Sequence, residues 1–126
     1  MNVLHQPNIL IVDDLLINRM LLIDILNNLG CQSAVAKNGE EAVNMVCDQH
    51  FDLILMDLEM PVMNGIETTA FIRSHEGLNK QTPIIALTAH SEDEITEDMN
   101  TVGFTNMLGK PFLPGKIKHL IDSYCR

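Results

Sequence analysis

Hydrophobic positions in this chain recur as short runs separated by longer amphipathic segments. Three runs, at residues 9–12, 51–56 and 83–88, are almost wholly apolar, and two weaker ones cover residues 32–37 and 105–109. Buried parallel strands have this composition, because helices cover both faces of the sheet. The pattern therefore predicts five strands, with residues 32–37 as a half-polar strand suited to a sheet edge.

Helical signals fill the gaps between the strands. Boxes with Glu three residues after an Asn or Ser, typical of helix starts, begin at Asn38, Asn64 and Ser91. Gly30 and Gly103 stand where helices should end, and Pro114 suits the first turn of a last helix. Alternating strands and helices predict an α/β fold, a doubly wound five-stranded parallel sheet. A flavodoxin-like order 2-1-3-4-5, in a single domain over residues 1–126, suits this length best.

Composition narrows the classes of protein. The chain has 126 residues, is 46% hydrophobic and carries a net charge of −9. Disorder is excluded by the apolar content, and direct contact with nucleic acid or an anionic membrane is disfavoured by the charge. The odd number of cysteines, without a C-x-x-C pair, favours neither disulfides nor a zinc site. We expect a cytoplasmic domain, whose parent protein could still be anchored in a membrane.

Polar residues follow the predicted strands at the ends where they leave the sheet. Asp13 and Asp14 follow the first strand, Asp57 the third, Thr88 ends the fourth, and Lys110 follows the fifth. Parallel strands end at one edge, and ligands bind there at the switch point between the first and third strands. The three aspartates should therefore converge in one crevice.

Converging carboxylates require a counter-charge. At about 5 Å and an effective dielectric near 20, each pair repels by roughly 3 kcal/mol. We expect Mg²⁺ (or Mn²⁺), held by Asp13, Asp14, Asp57 and the backbone carbonyl of Glu59, to relieve this repulsion. With Lys110 as a second positive charge, Asp57 is suited to attack a phosphoryl group. A hydroxyl at Thr88 could donate to a phosphoryl oxygen.

Four segments together resemble a known family. Residues 9–14 (ILIVDD), 57–65 (DLEMPVMNG), 87–89 (LTA) and 110–111 (KP) are similar in order and spacing to the receiver domain of two-component response regulators, most of all to receivers of hybrid sensor histidine kinases. The resemblance implies a phosphorelay module, and not a stand-alone enzyme. Its phosphoryl group would come from a histidine kinase or a histidine-phosphotransfer domain. It further implies that Thr88 reorients on phosphorylation and that the Lys110–Pro111 peptide is cis.

The resemblance also shows where this chain departs from its pattern. Met107 stands where the family usually has a switch aromatic, and the side chain of Glu59 occupies a position that modulates hydrolysis of the phosphoaspartate. Leu15 and Leu16 replace residues that are often polar. Together with Asn18 and Pro111, these two leucines are the predicted partner-docking positions.

Several alternatives stay open at this point. The excess of apolar residues in the first helix is either a broad buried face or a docking patch. An aspartyl-phosphate phosphatase would need an acid-x-acid pattern, which the adjacent Asp13 and Asp14 do not supply. A flavin protein would need Ser, Thr or Gly after the first strand, where the two aspartates would instead repel a phosphate that lacks a metal ion. A pseudo-receiver that only binds partners, and a weak homodimer, are further alternatives. The chain is either a stand-alone regulator or a piece of a hybrid kinase.

Overall fold

A computed structural model describes residues 6–89 and 97–125, without the side chains of residues 97 and 98. Strands and helices alternate as β1 (Asn8–Val12), α1 (Leu16–Asn28), β2 (Gln32–Ala36), α2 (Gly39–Asp48), β3 (Leu53–Asp57), α3 (Gly65–Ser74), β4 (Ile84–Thr88), α4 (Glu97–Val102), β5 (Asn106–Gly109) and α5 (Pro114–Tyr124). The strands pair in parallel in the order β2-β1-β3-β4-β5. The predicted fold class, strand order and edge position of β2 are therefore confirmed.

Strand starts differ slightly from the sequence prediction, for local reasons. β3 begins at Leu53 instead of residue 51, since the backbone N–H of Phe51 donates to Asn79 Oδ1 at 2.8 Å and so leaves the ladder. β4 begins at Ile84, one residue late, where Pro83 has no N–H to offer a neighbouring strand. The chain's path through the sheet is unaffected.

Helix ends follow the predicted caps with one change. At Asn64 the box is complete: its Oδ1 accepts from Glu67 N at 2.8 Å, and Glu67 Oε1 accepts from Asn64 N at 3.1 Å. At Asn38 only the first half forms, because the Glu41 side chain accepts from the N–H of Lys37 instead. The box predicted at residue 91 lies outside the described residues. The glycines predicted to end helices do so with positive φ, +78° at residue 30 and +117° at residue 103.

Apolar side chains form a core on each face of the sheet. Alternation along β1 sends Ile9 and Ile11 to one face and Leu10 and Val12 to the other. The first face is covered by α1 and α5, and the second by α2, α3 and α4. Among the described residues, no helix is both long and apolar enough to cross a membrane.

The first helix buries only a narrow stripe. Leu22, Ile25 and Leu26 are its buried residues. Ile23 is partly buried, whereas four other large apolar side chains of the helix, Leu16, Ile17, Met20 and Leu21, are exposed, as is the preceding Leu15. A broad buried face is therefore the wrong interpretation of this apolar excess.

The amino-terminal edge of the sheet is fastened by one buried side chain. Asn79, only 2% exposed, accepts from Phe51 N and donates from Nδ2 to the carbonyls of Val46 at 2.7 Å and Gln49 at 2.8 Å. Its Oδ1 also accepts from the hydroxyl of Thr82 at 3.0 Å. The amide thus joins the end of α2 to the segments that enter β3 and β4.

Candidate metal and phosphoryl site

Three carboxylates meet where β1 and β3 leave the sheet. Asp13 follows β1, Asp14 is next to it, and Asp57 is the last residue of β3. One carboxylate oxygen from each residue lies within 4.8 Å of the others. Asp13 and Asp57 are buried, at 0% and 4% exposure, and Asp14 is partly exposed. The convergence expected from the strand ends is therefore present in the structure.

A cleft opens over these acids and contains the remaining predicted side chains. Asp14, Asp57, Thr88 and Lys110 line it, together with the 58–59 segment, and its volume is about 200 Å³. Polar and apolar groups both contribute to the lining. The cleft is thus large enough for a small anion with its counter-ion, and the polar groups converge on Asp57.

The Asp57 carboxyl is electrostatically unusual. Burial, with the nearby charge of Asp13, raises its pKa from 3.8 to about 6, and the Asp14 charge adds slightly to the rise. Lys110 opposes the rise in pKa, with its Nζ 3.7 Å from Asp57 Oδ1, and the N–H of Glu59 opposes it by donating to the same oxygen at 3.4 Å. Lys110 and the backbone N–H of Glu59 therefore stabilise the ionised form of Asp57, and they offset part of the rise in pKa that burial and the two acids cause.

Lys110 is placed by the end of β5. Its backbone N–H donates to the carbonyl of Thr88 at 2.8 Å, which ties the ends of β4 and β5 together. Its Nζ also lies 5.9 Å from the centre of the Phe112 ring. The Lys110–Pro111 peptide is cis, as the resemblance implied.

The β3–α3 loop and the first residue of α3 approach Asp57 so closely that position 65 must be glycine. A Cβ at Gly65 would lie 2.1 Å from the carbonyl oxygen of Asp57. In the same loop Val62 has φ +71°, which is strained for a β-branched residue, and it is 82% exposed. Neither feature was foreseen from the sequence, although Gly65 stands in one of the matching segments.

Asp13 is held by groups whose contribution the sequence analysis missed. Its Oδ1 accepts from Leu15 N at 2.9 Å, its Oδ2 from Asn18 Nδ2 at 3.2 Å, and its carbonyl from Arg19 Nη1 at 2.9 Å. The sequence analysis assigned Asn18 to partner docking. Sequence spacing carried no signal for these contacts, since they depend on side-chain rotamers in the first turn of α1.

The other predicted docking and switch positions surround the site. Leu15 and Leu16 are exposed at 51% and 62%, and Pro111 is also exposed. Met107 is half-buried and packs beside the core that faces α2 and α3. It pairs with Ala86 of β4, two positions before Thr88. Docking and switching through these residues remain predictions.

The donor chemistry fits a hard divalent cation. Three carboxylates face one lysine within the cluster, so the ionised site carries an excess of negative charge. Mg²⁺ and Mn²⁺ prefer carboxylate, carbonyl and water oxygens, all of which this edge can supply. The acidic cluster can therefore bind a metal ion.

A parallel sheet in this order, with an acidic cluster and a lysine at its carboxyl edge, defines a receiver-like domain. The family model for the response regulator receiver domain matches residues 9–122. The chain therefore belongs to the response regulator receiver family. As a member, it is a module of two-component phosphorelay signalling.

Individual relatives agree with this assignment. Hybrid signal transduction histidine kinase G of Dictyostelium discoideum is 37% identical over 95% of this chain, and the autoinducer 1 sensor kinase/phosphatase LuxN of Vibrio campbellii is 39% identical over 95%. The chain spans only 4% and 14% of those two proteins. It therefore corresponds to one region of much longer sensor kinases.

Solved structures show the same fold. The receiver domain of sensor histidine kinase PA1611 from Pseudomonas aeruginosa PAO1, which has a magnesium ion coordinated in its active site cleft, matches with a TM-score of 0.86 and 31% identity, over 95% of this chain and 98% of that one. A chain from the co-crystal structure of the Saccharomyces cerevisiae histidine phosphotransfer protein Ypd1 with the receiver domain of its downstream response regulator Ssk1 matches with a TM-score of 0.85 and 31% identity, over 98% of this chain and 91% of that one.

Proposed function

We propose that this receiver domain accepts a phosphoryl group on Asp57 from a phosphohistidine, with a divalent cation bound at the neighbouring carboxylates. The observation that carries the proposal is the buried Asp57 carboxylate, which lies beside Asp13 and Asp14 and has the Nζ of Lys110 3.7 Å from its Oδ1. The domain is a phosphoryl acceptor, and not a stand-alone enzyme, because each acceptance leaves Asp57 modified.

Asp57 has the properties of the nucleophile. Its pKa of about 6 leaves it ionised at neutral pH, so a carboxylate oxygen is free to attack phosphorus. In the transfer a bond forms between that oxygen and phosphorus, while the bond between phosphorus and the donor imidazole breaks. The electron pair of the broken bond stays on the imidazole nitrogen.

Lys110 and Thr88 act on the charge that the phosphoryl oxygens carry. The Lys110 ammonium lines the cleft, with its Nζ 3.7 Å from Asp57 Oδ1, and this supports its pairing with one of these oxygens once Asp57 is modified. Thr88, only 4% exposed at the end of β4, lines the same cleft and can donate its hydroxyl to another. A shift of Thr88 toward the phosphoryl group would reach Met107 through β4 and β5, which pair at Ala86 and Met107.

Asp13, Asp14, Asp57 and the Glu59 carbonyl are the groups that would hold Mg²⁺ or Mn²⁺. When bound, the cation neutralises the carboxylates and the charge on the transferring phosphoryl group. The side chains themselves supply a fixed, largely buried oxygen cluster at the edge of β1 and β3. Asp57 belongs to this cluster and is the acceptor, so metal binding and phosphorylation involve the same carboxylate.

The partner is proposed to dock on the exposed apolar surface beside the cleft. Leu15, Leu16 and Ile17 are 51%, 62% and 71% exposed, and Leu15 also lines the cleft itself. Exposed apolar residues grouped on one helix are typical of protein contact sites. A histidine kinase or a histidine-phosphotransfer domain is the partner we infer, because phosphoryl transfer to Asp57 requires the donor imidazole to enter this cleft.

Intact-mass measurement after incubation with Mg²⁺ and a small acyl phosphate tests the acceptor. We expect a mass increase of one phosphoryl group in the wild-type chain and none in Asp57→Asn. Asp24→Asn, the same change at an exposed position of α1, should be modified like the wild type. Modification that persists in Asp57→Asn would contradict the assignment. Absence of modification in every protein would favour the pseudo-receiver, which otherwise has no observation in its favour.

A further inference from the structure

Asp13 is fastened to the first turn of α1 through all three of its oxygen atoms. Leu15 N donates to Oδ1, Asn18 Nδ2 donates to Oδ2, and Arg19 Nη1 donates to the backbone carbonyl. The Asp13 side chain is completely buried. Because each carboxylate oxygen has its own donor, the carboxylate cannot rotate without breaking a hydrogen bond.

We propose that Asn18 is a positioning residue that sets the orientation of Asp13 toward the divalent cation. The proposal rests on the proposed function, in which Asp13 is a metal ligand. Asn18 is half-buried, and its amide points toward Asp13, although it belongs to the helix that carries the exposed apolar surface. Hydrogen bonds from such outer residues fix the orientation of ligating carboxylates and strengthen metal binding.

The chemistry of the donors supports this role. The Leu15 amide belongs to the backbone, so Asn18 is the side chain that holds the Asp13 carboxylate. It is a neutral donor, and so it orients Asp13 without cancelling the negative charge that a cation needs. A lysine or arginine paired with Asp13 would neutralise it and compete with the metal ion. The one nearby cation on this helix, Arg19, is directed to the backbone carbonyl instead of the carboxylate.

The two buried carboxylates of the site therefore have different partners, a positive charge for Asp57 and neutral hydrogen-bond donors for Asp13. Lys110 is paired with Asp57, the proposed acceptor. Asp13 receives hydrogen bonds from neutral groups alone in the contacts above, so its charge stays available to the cation. Asn18 keeps this second carboxylate oriented while the first one reacts.

Calorimetric titration of the metal-free full chain with Mg²⁺ tests the proposal. The wild type is compared with Asn18→Leu, which has nearly the same size but no donor, and with Asn18→Ala. We expect both variants to bind Mg²⁺ about tenfold or more weakly. Asn28→Leu, an exposed asparagine at the end of the same helix, should bind like the wild type. Far-UV circular dichroism without metal establishes that each variant is folded.

A double-mutant cycle distinguishes positioning from general support of the fold. If Asn18 acts through Asp13, Asn18→Leu should cause little further loss of Mg²⁺ affinity in an Asp13→Asn background. Equal losses in both backgrounds, or wild-type affinity in the single Asn18 variants, would overturn the role of Asn18 and leave the proposed function standing. A wild-type chain that takes up no Mg²⁺ would overturn both proposals, which makes the two failures distinguishable.

Discussion

Replacing Asp57 by asparagine should stabilise the metal-free protein at neutral pH. In the folded chain the pKa of Asp57 is raised from 3.8 to about 6, chiefly by burial and by the charge of Asp13. The native state therefore binds more protons than the unfolded chain between these two pKa values. Since proton uptake favours the native state there, the stability contribution of Asp57 falls as pH rises through this window.

The size of the effect follows from the same pKa values. At pH 7 the ionised carboxylate costs the native state up to about 3 kcal/mol, and below pH 4 the cost vanishes. The carboxamide removes this cost, which is already net of the favourable ion pair with Lys110, because that pair lowers the pKa. We therefore expect Asp57→Asn to raise the free energy of unfolding by about 1–3 kcal/mol at pH 7, with a difference that shrinks toward pH 4.

Urea unfolding in the presence of EDTA, repeated from pH 4 to pH 8, measures this difference. Asp24→Asn, with the same charge change at an exposed position of α1, serves as the control and should show no comparable pH-dependent gain. Saturating Mg²⁺ should stabilise the wild type, by about 2.7 kcal/mol at a hundred times its Kd, and stabilise Asp57→Asn less. A metal-free Asp57→Asn protein that is less stable than the wild type at pH 7 would refute the reasoning.

Three further changes test the loop, its strain and the docking surface. Gly65→Ala places a methyl group against the Asp57 carbonyl, so we expect a loss of about 2–3 kcal/mol in unfolding free energy by urea titration, and unchanged stability would contradict the close approach. Val62→Asn replaces a β-branched residue at positive φ with one that tolerates this angle, so the free energy of unfolding should rise by about 1 kcal/mol in the same assay. A lower free energy of unfolding would argue against strain at this position. Leu15→Asp should slow transfer from a histidine-phosphotransfer domain about tenfold or more in a radiolabel assay, without changing the unfolding midpoint. The control is Leu78→Asp, a residue with 54% exposure at the opposite edge of the sheet. Equal transfer rates in the two variants would contradict the proposed docking surface.

Most of the fold could be predicted from the sequence, because strands and helix caps have local sequence patterns. Apolar runs marked β1, β3 and β4, and the pattern at Asn64 predicted a capping box that forms in full. Strand ends were found to within one or two residues. The two-residue difference at the start of β3 arises because Asn79, distant in sequence, accepts the hydrogen bond from the N–H of Phe51.

The candidate site was predictable where it depends on topology. In a sheet of order 2-1-3-4-5 the strands β1 and β3 are neighbours, so Asp13 and Asp57 at their carboxyl ends must lie close together, as the structure shows. The supporting contacts were not predictable, because they depend on rotamers and on backbone angles. Asn18 was assigned to the surface for this reason, and the positive φ of Val62 has no signature in its local composition.

The hydrogen bonds of the Asn79 amide anchor β3 and β4 at the end of the sheet that lies opposite the candidate site. At the anchored end, one side chain connects α2 with the entries to β3 and β4. At the other end, the same two strands terminate in Asp57 and Thr88. If Asp57 is phosphorylated as proposed, the strand entries held by Asn79 should move least, and the tips of β3 and β4, at Asp57 and Thr88, should move most.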